Sequence, residues 1–357
     1  MDKSTQNNSM RYIISLFGKK YIEKNNKIGK YSINNICGTG SNGIVFNVTS
    51  LKDNKRYALK ILNVSYYIIK KFKLNKKTYM EEISNNIDNI VNKISNEEFY
   101  STSFNSNIFD NFNSKEELNS FLREYNSLKG LKANSYCANL VDYGFLKIDS
   151  SEGSFYIFPY IVMPYFSGIK LTEYIEKTQN FTTNFIEIFD LIEKIAKIIE
   201  YIHSNQIIHR DLHLENFLYN EENGQLVLLD FGSAIYNNDF SLDTLGERRG
   251  PRRLMSPEQF ENPSNTTILS DYYFLGAILF YMLTKKYPFS VDRTINTLPT
   301  NLIEVFDSKS FSEKSIYNKI VYLVNNLLNY NPSERIIDIN EIEERIVEIK
   351  KMLIKEK

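Results

Sequence analysis

The sequence predicts an α+β chain in which a small, antiparallel, β-rich N-terminal part precedes a larger, mainly helical C-terminal part. Three observations predict it. Residues 31–62, YSINNICGTGSNGIVFNVTSLKDNKRYALKIL, place two β-rich runs around a glycine cluster and a turn signal, KDNK, before a third run, which is the pattern of an antiparallel meander. Near the other end, Ile339, Ile342, Ile346, Ile349 and Leu353 recur at three- and four-residue spacing and read as a closing amphipathic helix. The length, 357 residues, suits one large bilobal domain or two modest ones.

In the meander, Gly38, Gly40 and Gly43 form G-x-G-x-x-G. Residues without a Cβ let a hairpin turn bring its backbone N–H groups close over phosphate oxygens. The same letters open a dinucleotide-binding unit, but there a helix follows the glycines, whereas GIVFNVTS is β-branched and strand-like. Lys60, in YALKIL, takes an inward strand position, costly for a lysine unless it meets an anion. The plain alternative is a strand-end lysine reaching to solvent along its own stem.

Further along, HRDLHLEN supplies His209, Arg210, Asp211 and Asn216, and LVLLDFGSA presents Asp230 at the end of an apolar strand, followed by Phe231 and Gly232. A carboxylate to accept a hydroxyl proton, with an amide and a second carboxylate to hold Mg²⁺, is what phosphoryl transfer requires.

Taken in order, these motifs resemble the eukaryotic-type (Hanks-type) protein kinases over about residues 30–350. The resemblance implies a bilobal kinase fold with residues 1–29 as an N-terminal extension, an N-lobe over about 30–163 and a C-lobe over about 167–350. It also implies ATP and Mg²⁺ in the cleft between the lobes, and a protein substrate. In FLREYNSLKGL, Glu124 is implied as the N-lobe helix partner of Lys60. YIVMPYFSG resembles the hinge, with Met163 as gatekeeper and the Pro164 carbonyl and Phe166 amide as adenine partners; proline costs nothing where only the carbonyl is used. Thr39, Ser41, Val45, Ala58 and Leu218 complete the implied nucleotide contacts with the three glycines and Lys60. Asn216 and Asp230 are the implied metal ligands, and Asp211, Lys60, Glu124, His213 and Asn216 the catalytic set. LMSPEQF resembles A-P-E, with Glu258 expected to pair with Arg335, and Asp271 matches the aspartate of a large buried helix that supports the catalytic loop.

One position departs from the family. Ser/Thr kinases usually carry a lysine two residues after the catalytic aspartate, and tyrosine kinases an arginine four after it; here these positions are His213 and Glu215. Either His213 makes an altered γ-phosphate clamp, with a charge only partial near neutral pH unless phosphates raise its pKa, or it is tolerated drift. Pro251, in GPRRLMSPE, is the residue tyrosine kinases favour, but the arginine diagnostic of tyrosine kinases is absent, so serine/threonine specificity is expected with dual specificity open. Arg252 and Arg253 suggest a preference for acidic substrate residues, or are solvated loop charges. Two further readings stay open: a small-molecule phosphotransferase of the aminoglycoside or choline kinase type, and a catalytically weak nucleotide-binding scaffold.

Arg210 beside the catalytic aspartate implies control through the loop 230–258, with phosphate on Ser241 or Thr244 pairing with it, or Asp239 and Asp243 standing in for that charge. Between Lys60 and Glu124 the chain spends about fifty extra residues, an insertion over about 64–117. Much of it, NEEFYSTSFNSNIFDNFNSK, is polar and reads as loop-like or disordered. Residues 80–94 read as an amphipathic helix that either packs on its own lobe or docks a partner.

Composition narrows the partners. Lys plus Arg and Asp plus Glu number 43 each, which argues against non-specific attraction to nucleic acid or an anionic membrane. Two cysteines in no metal-type spacing suggest a reducing compartment, and YIISLF at 12–17 is too short for a membrane span, so a cytoplasmic protein is expected.

Overall fold

The computed structural model describes residues 19, 22–23, 26–40, 43–62, 99–100, 115–149, 155–179, 181–237, 254–288 and 314–356. The chain divides into two compact units: Met1–Tyr125 with Asn139–Phe166, and Asn126–Ala138 with Ser167–Lys357.

In the first unit the expected meander is strands β2 (Tyr31–Gly40), β3 (Gly43–Ser50) and β4 (Arg56–Leu62), each antiparallel to the next. Between β3 and β4 the turn is locked by Ser50 N–H donating to the Lys55 carbonyl at 2.9 Å, with Asn54 left-handed at φ 56°, a conformation asparagine tolerates. The sheet has seven strands in the order β1 (Lys27–Ile28), β2, β3, β4, β7 (Phe155–Pro164), β6 (Asp142–Asp149), β5 (Phe99–Tyr100). β5 corrects the reading of the insertion: Phe99 and Tyr100 pair with Leu146 and Phe145, so part of the stretch read as loop extends the sheet. Two adjacent aromatics of high strand preference beside an open edge outweigh the polar composition around them. Alternation does the sorting, since Phe46, Val48, Leu59 and Ile61 are buried. Each such side chain contributes about 1.5–3 kcal/mol by leaving water.

Helix α1 spans Lys115–Gly130, so it begins inside the range assigned to the insertion. The proposed helix over 80–94 lies outside the described residues.

The second unit is mainly helical: α2 (Leu171–Lys177), α3 (Phe185–Ser204), α4 (Pro257–Glu261), α5 (Ile268–Thr284), α6 (Lys314–Leu327) and α7 (Ile339–Lys355), with short strands β8 (Ile169–Lys170), β9 (Ile207–Ile208), β10 (Phe217–Tyr219), β11 (Leu226–Leu228) and β12 (Ile235–Tyr236). α5 is apolar almost all round and is the central helix, buried from Ser270 to Phe280 without a break. A capping box starts it, with Leu269 N–H donating to Thr267 Oγ1 and Thr267 N–H to Ser270 Oγ, both at 3.3 Å. The stripe of α7 turns Ile342, Ile346, Ile349 and Leu353 inward, with Ile339 half-buried at its start.

Candidate active site

In the first unit, strand register brings the predicted residues together. Gly38 pairs with Val45, Val45 with Lys60, and Ala58 with Met163. Directly paired residues share a face, and so do residues two apart, so Val45, Ala58, Lys60 and Met163 line one face of the sheet. Lys60 is 6% exposed and reaches Glu124, 1% exposed, with Nζ donating to Oε1 at 2.7 Å and to Oε2 at 2.9 Å. The pair answers the sequence question about Lys60: an inward lysine is tolerated because a carboxylate on α1 accepts it. Pro164 ends β7 opposite Tyr57, and Phe166 follows half-buried.

A Cβ on Gly43 would lie 2.0 Å from the Ile61 carbonyl oxygen, so packing alone demands glycine there. Gly38 differs. A Cβ there would meet nothing nearer than the Val45 side chain at 3.7 Å, an ordinary contact, so the chain's own packing does not require the bare backbone. Thr39 and Gly40 continue β2 opposite Ile44 and Gly43, while Ser41 lies outside the described residues.

In the second unit the loop expected to be catalytic is suspended from Asp271, which is fully buried on α5. Its Oδ2 accepts the His209 N–H at 2.8 Å and its Oδ1 the Arg210 N–H at 3.0 Å. Oδ2 also lies 2.8 Å from His203 Nε2 at the end of α3. Arg210 is held left-handed at φ 66°, a conformation an arginine adopts only when its surroundings impose it. Those surroundings are visible: besides Asp271, Gln259 Nε2 donates to the Arg210 carbonyl at 3.0 Å, and Arg210 Nε donates to the Ser233 carbonyl at 2.7 Å. His203 and Gln259 were not foreseen. The only sequence signal of His203 is a polar residue beside the apolar face of α3, Gln259 has none, and their partners lie 68 and 49 positions away.

Downstream, Asn216 Nδ2 donates to the Asp211 carbonyl at 2.9 Å and the Asn216 carbonyl accepts the Leu229 N–H at 2.7 Å. The loop bearing Asp211 is thereby tied to the segment leading into Asp230. Asp230 is itself left-handed at φ 58°, with Oδ1 accepting the Gly232 N–H at 3.1 Å, and Phe231 packs edge-on against His209 at 5.1 Å between centroids. Leu218 lies half-buried in β10, paired with Lys170 and Val227.

His213 lies with Nε2 3.5 Å from Asp211 Oδ1, the two side chains about a quarter exposed at 24% and 25%. Burial of the imidazole pushes its pKa down from the usual 6.5 to about 4; Glu215 and Asp230 pull against this, and His209 and Lys170 reinforce it. The partial positive charge expected from the sequence is therefore corrected: His213 is neutral at physiological pH because desolvation outweighs its acidic neighbours. Accordingly, a pH–rate profile is expected to show no histidine limb between pH 6 and 8.5. Stability behaves differently. His209 is also shifted down by burial, so below about 6.5 the unfolded chain takes up protons that the fold refuses, those of His213 until near 4. Unfolding free energy is expected to fall as pH drops from 7 to 5, measured by denaturant titration, and the slope is expected to shrink in His213→Gln.

Glu258, at the start of α4, receives Arg335 Nη1 at 2.7 Å on Oε1 and Nη2 at 2.8 Å on Oε2, the pair expected from the sequence, with Ser270 Oγ donating to Oε1 at 2.7 Å. Burial pushes the Glu258 carboxyl up, but Arg335 and Ser270 together bring it below its ordinary value. Ser241, Thr244, Asp239, Asp243, Pro251, Arg252 and Arg253 lie outside the described residues, while Tyr236 is placed in β12.

The buried lysine–glutamate pair in one unit, and the aspartate-anchored loop with two further oxygen donors in the other, are the parts that the sequence leads one to expect of a protein kinase domain. The chain matches the protein kinase domain family over residues 113–345, and it belongs to that family. It is 35% identical over 146 residues to the probable serine/threonine-protein kinase PknB of Lactococcus lactis, covering 41% of this chain and 23% of that protein. It is 32% identical over 188 residues to the serine/threonine-protein kinase PrkC of Bacillus subtilis, covering 53% of this chain and 27% of that one. The chain thus spans about a quarter of the length of these relatives. The kinase domain of Mycobacterium tuberculosis PknI superposes with a TM-score of 0.55 at 15% identity, over 90% of this chain and 96% of that one, a likeness of fold.

Family membership implies use of ATP and a divalent metal. The residues fit both. The oxygen donors of Asn216 and Asp230 suit a hard cation that keeps part of its coordination for phosphate and water, and the bare backbone at Gly38, where a Cβ would meet only an ordinary contact with Val45, suits the close approach of a phosphate. Among the described residues no helix is long and apolar enough to cross a membrane.

Proposed function

We propose that the protein is an ATP-dependent kinase that transfers the γ-phosphoryl group to serine and threonine hydroxyls of protein substrates. The observation that carries this reading is the joint presence of the 2.7 Å Lys60–Glu124 pair and the Asp271-anchored loop that presents Asp211. In it, Lys60, steadied by Glu124, orients the α- and β-phosphates, and the backbone of Gly38, Thr39 and Gly40 lies over them. The Pro164 carbonyl and Phe166 amide bind the adenine edge beside Val45, Ala58 and Met163. Asp211 orients the substrate hydroxyl and takes its proton. Asn216 and Asp230 hold Mg²⁺, which supplies neutralisation of phosphate charge when bound. The relatives named above are serine/threonine kinases by name, and Glu215 stands where a tyrosine kinase would carry arginine, which supports the hydroxyl class.

The reading is tested with γ-labelled ATP and mixed peptide libraries fixed at serine, threonine or tyrosine. Label is expected on the serine and threonine libraries and to vanish in Lys60→Met. Equal labelling of the tyrosine library would establish dual specificity, and transfer only to small-molecule alcohols would overturn the assignment.

A further inference from the structure

Resting on that reading, we propose that His213 is a positioning residue for the base: its Nε2–H donates to Asp211 Oδ1 and turns the carboxylate toward the substrate hydroxyl, in place of a phosphate clamp. Three observations lead there. His213 is extended, at φ −151° and ψ 161°, and residues two apart on extended backbone share a face, so D-x-H sets the two side chains side by side. The backbone fixes that placement, because the His213 carbonyl accepts the Asn216 N–H at 2.9 Å and closes the turn Leu214–Asn216, whose asparagine in turn ties down the Asp211 carbonyl. Finally, Nε2 and Oδ1 stand 3.5 Å apart, just beyond a formed hydrogen bond, a separation that closes on substrate binding in many active sites.

The charged and titratable groups that act on the imidazole are Glu215, Asp230, His209 and Lys170. An imidazole N–H beside the carboxylate fixes its orientation and lets the other oxygen face the substrate hydroxyl. When the hydroxyl proton passes to Asp211, the substrate oxygen forms the new bond to phosphorus, the bond to the leaving ADP oxygen breaks, and His213 keeps its own proton throughout.

The test compares wild type, His213→Gln, His213→Leu, His213→Lys and Asp211→Asn in full-length protein, by single-turnover kinetics with Mg-ATP and the best peptide, alongside unfolding midpoints. Glutamine supplies a neutral N–H at similar reach and is expected to keep the rate within about threefold, whereas leucine is expected to lower it roughly tenfold or more with KM for ATP unchanged. The acid limb of the wild-type profile is expected to move to higher pH in His213→Leu, as Asp211 loses a donor to its charged form, and to stay in place in His213→Gln. Leucine equal to wild type, or lysine as the only substitution that preserves the rate, would overturn the proposal in favour of drift or of a phosphate clamp. Full activity in Asp211→Asn would instead remove the base assignment on which it rests.

Discussion

Asp211→Asn is expected to lower kcat by about 10³-fold while leaving ATP affinity and the unfolding midpoint close to wild type. Two features set the size and selectivity of this effect. The Asp211 side chain is a quarter exposed, so an isosteric amide is accommodated without new burial cost. What fixes the loop is the Asp211 backbone, whose N–H lies 3.3 Å from His209 Nδ1 and whose carbonyl accepts Asn216 Nδ2 at 2.9 Å, and neither bond involves the carboxylate. The amide cannot take the hydroxyl proton, so the loss falls on the chemical step. Paired kcat and ATP-binding measurements check the split; a variant that is inactive because it is unfolded would contradict the role given to the side chain.

Arg335→Met is expected to destabilise the second unit by about 3–5 kcal/mol, because it leaves the Glu258 carboxylate buried and without its guanidinium. Arg335 is itself buried, and besides the two bonds to Glu258 it donates to the carbonyls of Leu269 at 3.0 Å and Asn329 at 2.8 Å and lies 4.9 Å from the Tyr273 ring centroid. One substitution therefore unpins α4, the start of α5 and the turn before α7 together. A fall in melting temperature of roughly 10 °C is expected. The double variant Arg335→Met, Glu258→Met is expected to recover part of that loss, since two apolar groups leave no uncompensated charge. Equal melting temperatures for the single and double variants would show that the interaction with the carbonyls, and not the ion pair, carries the stability.

How far the sequence could be read differs by residue for physical reasons. Lys60, Asp211, Asn216 and Asp230 could be singled out because phosphoryl transfer, the activity proposed, restricts both residue type and local spacing, and the meander was legible because strand alternation and turn chemistry act over a few residues. Glu124 and Arg335 required the resemblance, since a lysine or glutamate partner on another element leaves no local mark. His203 and Gln259 were missed because their value comes from meeting Asp271 and the Arg210 carbonyl across the fold. β5 was missed because the pairing that makes Phe99 and Tyr100 a strand is supplied by β6. The charge of His213 was misjudged for a related reason: a histidine's pKa is set by how much water surrounds the ring, and sequence does not report burial.

The central claim, that this chain transfers phosphate from ATP to protein hydroxyls through the Asp211–Asn216–Asp230 arrangement, is tested most directly by incubating the wild type beside Asp230→Ala with Mg-ATP and mapping the phosphate by mass spectrometry. Phosphoserine and phosphothreonine in the wild type, absent from a folded Asp230→Ala protein, is the predicted result. ATP binding by both proteins with no phosphate on either, or on any supplied protein or peptide, would contradict the account.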